Sequence, residues 1–254
     1  MKIYIFEKGF LHKLFSFYLM TNKNKKLIIK DLGKISYQSG LDEQEKYFSE
    51  IIEIKKLNYG KKKLFQTNNF LLFVEHHPVY TLGKSGNINN LLTSKKSLRE
   101  KRIEFFKTNR GGDITYHGPG QIVVYPILDL DNFFTDIHKY LRTLEEVVIT
   151  TLSDYGISGF RISGQTGVWV KNGKLSTKKI CAFGVRASRW VTMHGMSLNV
   201  NTNLDQFNHI VPCGINDKGV TSMREQLGEK ILLSKVKKSI TKHFIDLFEI
   251  ETWI

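Results

Sequence analysis

The segment Arg110–Gln121 has the sequence Arg-Gly-Gly-Asp-Ile-Thr-Tyr-His-Gly-Pro-Gly-Gln, with four glycines and one proline in twelve residues. Glycine lets the backbone adopt positive φ and approach a ligand without an intervening Cβ. The run Gly118–Gly120 is a sharp turn signal. Around Arg110, Tyr116 and His117, the pattern predicts a wall whose backbone N–H groups face a ligand. A tight turn between strands would carry the same glycines, so this segment alone does not separate the two interpretations.

Three later blocks add to this signal. They are Lys-Lys-Ile-Cys-Ala-Phe-Gly-Val at 178–185, His-Gly-Met-Ser-Leu-Asn-Val-Asn at 194–201 and Ile-Val-Pro-Cys-Gly-Ile at 210–215. In this order and spacing, the four blocks resemble the lipoyl(octanoyl) transferases. The first block is a near-complete match to the signature of that family, and the resemblance runs from about Leu27 to about Gly228.

Hydrophobic periodicity predicts an α/β protein. Predicted strands are Leu27–Leu32, Phe70–Val74, Ile103–Phe106, Gln121–Leu128, Thr166–Val170, Lys178–Val185 and Met193–Val200, with a hairpin at Asn172-Gly173. Predicted helices are Leu41–Leu57, Ser94–Arg102, Thr135–Tyr155 and Ser234–Phe248. No break in composition divides them, so we expect one domain over residues 27–254. The resemblance implies a mixed β-sheet packed by helices, similar to the biotin/lipoate protein ligase catalytic domain. Residues 1–26 lie outside it, and we expect a disordered extension or a start codon placed too early.

The composition is that of an ordinary globular chain with a strong basic excess. The 254 residues are 41% hydrophobic and 24% charged, with a net charge of +14. Only two cysteines occur, and no apolar run approaches the roughly 18 residues that span a membrane. We therefore expect a cytoplasmic protein without a disulfide framework or a membrane partner. The lysines are scattered without interleaved aromatic residues, which argues against nucleic acid. Two interpretations of the charge remain: an ordinary solvated surface, which is the commoner one, and docking of acidic partners.

Cys213 lies in a Pro-Cys-Gly turn, which predicts a constrained loop that presents its sulfur. An ordinary thiol has a pKa near ~8.5, so only a few per cent is thiolate at neutral pH. A nearby ammonium group favours the thiolate, and a fall of about two pKa units corresponds to ~2.7 kcal/mol. The residues alone leave a buried structural cysteine as the commoner alternative. The resemblance implies instead that Cys213 is the catalytic nucleophile.

The resemblance assigns the ammonium group to Lys179. The lysine of the family directly precedes an Ile-small-small-apolar-Gly run, which here is Ile180–Gly184. Lys178 and Lys179 are adjacent and point to opposite faces of a strand, so only one of them can face the site. Lys178 fits an ordinary surface lysine.

The resemblance implies a transfer reaction without ATP, cofactor or metal. A thiolate attacks the thioester of octanoyl-acyl carrier protein, and a lysine amine of a lipoyl-domain protein then takes the acyl group as an amide. Expected acceptors are the E2 subunits of 2-oxoacid dehydrogenases and the glycine cleavage H protein. Lys179 would take the thiol proton and later help to deprotonate the amine.

We expect the substrate pocket to be formed by the first block and by the strands around Lys179 and His194. The expected substrate-binding residues are Arg110, Gly111, Gly112, Asp113, Ile114, Thr115, Tyr116, His117, Ala182, Phe183, Gly184, Gly195, Met196 and Ser197. Tyr116, Phe183 and Met196 would line an apolar slot for the acyl chain. His117 and His194 would shape the pocket, although a Cys–His pair is the alternative to Cys–Lys. Cys181 lies two positions from Lys179, so oxidation could link it to Cys213.

Two other functions remain open at this point. An ATP-dependent lipoate or biotin ligase on the same fold would form an acyl adenylate and need no nucleophilic cysteine, which the Pro-Cys-Gly block argues against. A basic nucleic-acid-binding module would show tight, salt-sensitive binding and no acyl transfer.

Overall fold

The computed structural model describes residues 23–61, 65–173, 176–211 and 219–254. Their strands are β1 (Lys26–Ile35), β2 (Asn69–His76), β3 (Val79–Leu82), β4 (Glu104–Lys107), β5 (Ile114–His117), β6 (Gln121–Ile127), β7 (Gly159–Ile162), β8 (Gln165–Asn172), β9 (Ser176–Ser188), β10 (Val191–Asn199) and β11 (Thr252–Trp253). Their α-helices are α1 (Tyr37–Asn58), α2 (Lys95–Glu100), α3 (Ile137–Ser153), α4 (Met223–Leu227) and α5 (Leu233–Leu247). Short 3₁₀ turns lie at Ile88–Asn90, Leu130–Asn132 and Leu204–His209.

Eight strands form a mixed sheet in the order β11-β1-β2-β6-β10-β9-β8-β7. Strand β1 pairs in parallel with β2 and β11, whereas every other neighbouring pair is antiparallel. The predicted α/β class with a mixed sheet packed by helices is thus confirmed. The structure adds a second sheet, which the sequence did not predict: β3 lies between β4 and β5, parallel to β4 and antiparallel to β5.

Helices cover both faces of the large sheet. On one face, α3 and α5 contribute Leu144, Val148 and Ile240 to the main core. On the other face, α1 contributes Tyr47, Phe48 and Ile51 to a second core. Both faces of β2 are therefore covered, and all of its residues but Glu75 are buried, as its continuous apolar run predicts.

Local signals set the limits of the long helices. The Asp136 side chain accepts the Lys139 N–H and begins α3. Gly156, at φ +72°, follows its last turn and stops the helix. The predicted strands and helices all occur, with ends shifted by a few residues. The sequence analysis missed β3, β5, β7, α4 and β11, because elements of two to five residues carry too little periodicity.

At the start of the described chain, Lys23 and Asn24 already contact the domain. Lys23 Nζ donates to the Phe133 carbonyl at 3.0 Å, and the Asn24 N–H donates to Asn132 Oδ1 at 3.0 Å. Residues 1–22 lie outside the described residues, so the nature of this extension stays a prediction. No helix among the described residues is long and apolar enough to cross a membrane.

Candidate active site

A slot of about 490 Å³ lies between the large sheet and β5. Its lining residues are Tyr37, Arg110, Gly112, Asp113, Ile114, Thr115, His117, Val123, Tyr125, Ala182, Phe183, Gly184, His194, Gly195, Met196 and Ser197. One wall follows the β9–β10 ladder, where Ala182 pairs with Ser197, Gly184 with Gly195 and Val185 with His194. The slot therefore runs along the strand direction, with His194 and Ser197 at the two ends of the β10 stretch that lines it.

Close backbone contacts close the slot at the His194 end. The Gly111 N–H donates to the Val185 carbonyl at 2.9 Å. A Cβ on Gly184 would lie 2.9 Å from the Gly111 oxygen, and a Cβ on Gly83 would lie 2.2 Å from the Gly112 oxygen. Glycine is required at both positions because the chains approach closer than any side chain allows.

The buried Arg110 side chain holds this loop together. Its Nη2 donates to the Thr81 carbonyl at 2.6 Å and to the Asp113 carbonyl at 2.8 Å, and its Nη1 donates to the Gly111 carbonyl at 3.0 Å. A guanidinium group has five N–H donors in a rigid fork, so one side chain can tie several carbonyls at once. Arg110 thereby fixes the wall of the slot, as well as lining it.

Tyr116 is not in the slot lining, which corrects the expectation that its ring contacts the acyl chain. Successive side chains of β5 point to opposite faces. Thr115 and His117 face the slot, while the Tyr116 ring packs against Tyr80 and Phe207 in a separate core. A Cβ on Gly118 would lie 2.1 Å from Tyr116 Oη, so that glycine makes room for the ring.

His117 and His194 are buried and neutral. His117 pairs through Nδ1 with Gln121 Oε1 at 2.8 Å, and burial together with nearby His76 lowers its pKa to about 3. His194 Nε2 lies 2.7 Å from Asn109 Oδ1, and burial together with the Arg110 charge lowers its pKa to about 3. A base with so low a pKa is poorly matched to proton transfer near neutral pH. Both histidines therefore suit a binding wall better than a general base.

A second cavity, lined in part by Lys179, adjoins the slot and shares Thr115, Ala182 and Ser197 with it. The Lys179 side chain is buried, and its Nζ lies 4.7 Å from the centre of the Trp169 ring. Lys178 lies outside this cavity, and its Nζ pairs with a Glu225 carboxylate oxygen at 3.0 Å. The two adjacent lysines thus have different surroundings, as strand alternation predicts.

Cys213 lies outside the described residues, and its predicted role stays a prediction. The chain on either side of residues 212–218 is anchored near the site. The Val211 N–H donates to the Asn90 carbonyl at 2.8 Å, and the Lys179 N–H donates to the Gly219 carbonyl at 2.9 Å.

Cys181 is fully buried in the main core, and burial raises its thiol pKa well above the ordinary value. A protonated, buried thiol reacts slowly. The predicted disulfide between Cys181 and Cys213 involves a residue outside the described ranges and also stays a prediction.

The structure brings three groups to the site that no sequence motif indicated. Tyr37 at the start of α1, and Val123 and Tyr125 on β6, complete the slot lining. Helix α1 and strand β6 come together at the slot only when the chain folds, so no sequence motif marked these residues. Within the described ranges, His, Cys, Asp and Glu side chains form no group of three or more that could hold a metal ion.

Comparison with known proteins agrees with this architecture. The family model of the lipoyl protein ligase A/B catalytic domain matches residues 56–245. The octanoyltransferase of Flavobacterium johnsoniae is 57% identical over 229 residues, which cover 90% of this chain and 99% of that protein. That of Cytophaga hutchinsonii is 52% identical over 233 residues, which cover 90% of this chain and 95% of that protein.

Two solved structures share the fold at low identity. A bipartite lipoate protein ligase from Thermoplasma acidophilum aligns with a TM-score of 0.63 and 16% identity, covering 91% of this chain and 87% of that one. Lipoate-protein ligase A aligns with a TM-score of 0.64 and 16% identity, covering 91% of this chain and 89% of that one. The resemblance inferred from the four sequence blocks is confirmed, and the chain belongs to the family of the lipoyl protein ligase A/B catalytic domain.

Proposed function

We propose that this protein moves an octanoyl group from acyl carrier protein to a specific lysine of lipoyl-domain proteins through a thioester on Cys213. Relatives named octanoyltransferase are 52% to 57% identical to this chain. Octanoyl transfer in lipoate biosynthesis is therefore the acyltransferase activity of this chain. The observation that carries the mechanism is the position of Lys179. Its side chain is buried and lines a cavity that shares Thr115, Ala182 and Ser197 with the slot.

The slot suits a medium-length acyl chain. From Ala182 to Val185 the wall extends three strand residues, about 10 Å at the usual rise per residue. Ala182, Phe183, Met196 and Val123 give this stretch an apolar lining. The acyl tail would lie along the β9–β10 ladder toward His194, with its carbonyl near Lys179.

In the first half-reaction, Lys179 takes the Cys213 proton and the thiolate attacks the thioester carbonyl of the donor. The Cys213 sulfur–carbon bond forms, the bond to the carrier thiol breaks, and that thiol leaves with a proton. One thioester replaces another, so the step is nearly isoenergetic. In the second half-reaction the acceptor amine attacks the acyl-enzyme, forms an amide and releases Cys213. Lys179 helps to remove the amine proton.

The test is incubation of the full chain with octanoyl-acyl carrier protein in the absence of ATP, followed by intact and peptide mass spectrometry. An octanoyl adduct on the peptide that contains Cys213, absent in Cys213→Ser and retained in Cys181→Ser, supports the proposal. Turnover that appears only with ATP, without any covalent adduct, would instead support an adenylate-forming ligase and overturn it.

A further inference from the structure

Glu145 on α3 is a fully buried carboxylate that is bound on both sides. Its Oε2 accepts from Arg142 Nη1 at 2.6 Å and from Arg161 Nε at 3.0 Å. Its Oε1 accepts the backbone N–H of Gly167 on β8 at 2.9 Å. The two arginines neutralise a charge that would otherwise be costly to bury. The remaining oxygen fixes the orientation of the Gly167 peptide.

Gly167 makes room for the side chain of Lys179. Its φ is +145°, a conformation that L side chains rarely adopt. A Cβ on this residue would lie 3.0 Å from Lys179 Cε and 3.3 Å from the Cys181 carbonyl oxygen. The lysine chain therefore passes directly over the face of Gly167 that carries no side chain.

The strand register next to Gly167 also directs Lys179. Val168 pairs with Cys181, but Trp169 pairs with Lys179, so Ile180 is an extra residue on β9. A bulge of this kind turns the neighbouring side chains. Here it brings Lys179 Nζ to 4.7 Å from the centre of the Trp169 ring.

From this geometry we propose that Glu145 and Gly167 are positioning residues for Lys179. Glu145 holds the Gly167 peptide in place, and the missing side chain of Gly167 leaves the passage through which Lys179 crosses to Trp169 and the slot. This inference rests on the proposed catalytic role of Lys179. It predicts that a change at Gly167 slows the chemical steps without weakening the binding of the acyl donor.

The deciding variant is Gly167→Ala, and Gly164→Ala is its matched control. Gly164 also has positive φ, +74°, in the turn before β8, but no atom lies within 4 Å of the position of its Cβ. Both substitutions carry backbone strain, whereas only the first displaces Lys179. We expect kcat for octanoyl transfer to fall roughly tenfold in Gly167→Ala, because the new Cβ at 3.0 Å pushes Lys179 Cε aside by a fraction of an ångström, and misplacement by about 1 Å costs about 100-fold. KM for octanoyl-acyl carrier protein should stay within about threefold, and Gly164→Ala should keep its kcat.

Thermal melting of both variants separates misfolding from misplacement. If Gly167→Ala does not fold, the variant Glu145→Gln tests the positioning role instead. Its NH₂ group would face the donating Arg142 and Arg161, so the amide must turn and release Gly167. A fall in kcat of about tenfold at constant KM supports the inference, and an unchanged kcat overturns it. A folded Gly167→Ala with the kcat of Gly164→Ala also overturns it. Lys179→Ala tests the proposed function separately: if that variant stays active, the mechanism itself is wrong.

Discussion

The two ends of the slot place buried polar groups in different ways. At the closed end, Arg110, His117 and His194 are bound to partners within the protein, among them Thr81, Gln121 and Asn109. At the other end, Lys179 lies over the Trp169 ring beside Gly167, with Glu145 behind that glycine.

The contrast indicates that the closed end suits binding of the acyl tail and that the Lys179 end suits the proposed proton transfer. Side chains that are held by internal hydrogen bonds keep a fixed shape, and neither a guanidinium nor a histidine of lowered pKa exchanges protons near neutral pH, which suits a wall against an acyl tail. In the proposed mechanism the Lys179 side chain, held against the Trp169 ring, would lie near the reacting carbonyl and transfer a proton there. The signature segment that identifies the family therefore forms the wall, and the proposed proton transfer takes place on β9.

Replacing Lys179 and Lys178 separately by alanine is expected to give the largest difference in transfer activity. Lys179→Ala should lose about 1,000-fold or more in kcat/KM, equivalent to roughly 4 kcal/mol of transition-state stabilisation. Lys178→Ala removes a partly exposed ion pair with Glu225 and should stay within about twofold. Steady-state transfer to a lipoyl domain measures both. Equal losses would show that position on β9 does not separate the lysines.

Arg110→Lys should weaken the closed end without abolishing the chemistry. Lysine keeps the charge but has one nitrogen in place of Nη1 and Nη2, so it cannot reproduce the fork that ties the Gly111 carbonyl together with the Thr81 and Asp113 carbonyls. We expect a loss of about 2–3 kcal/mol in the free energy of unfolding, with a higher KM for the acyl donor. Urea denaturation and kinetics measure the two effects. The control is Arg99→Lys at an exposed position, which should change neither.

The buried histidines should make folding stability depend on pH. Burial lowers the pKa of His117 and His194 from 6.5 to about 3, and that of His76 to about 4. Between these values and 6.5 the unfolded chain binds protons that the folded chain does not, so stability is present above pH 6.5 and falls as the pH drops. At pH 5 each histidine should cost about 2 kcal/mol.

His194→Asn tests this dependence, because asparagine does not titrate and tolerates the positive φ of +58° at this position. The slope of unfolding free energy between pH 6 and pH 4 should decrease by roughly 1 kcal/mol per pH unit. The exposed His138→Asn is the control, and its slope should match the unchanged protein. An unaltered slope in His194→Asn would mean that folding does not lower the pKa of this imidazole.

The sequence by itself determined the elements whose pattern is long. The apolar spacing in α3 and α5, the buried run of β2 and the capping by Asp136 and Gly156 are local properties of the chain. Residue order and spacing were also enough to identify the family, because four blocks with defined chemistry rarely occur together by chance. Alternation along one strand indicated that only one of Lys178 and Lys179 can face the site, and the resemblance selected Lys179.

Only the tertiary structure decided what depends on partners distant in sequence. Strand β5 is four residues long, and its pairing with β3 turns Tyr116 into a separate core and His117 into the slot. Glu145 and Gly167 are 22 residues apart, and Lys179 packs against Gly167 where a bulge in β9 shifts its register against β8. Such contacts follow from the packing of α3, β8 and β9, which no local window of sequence contains.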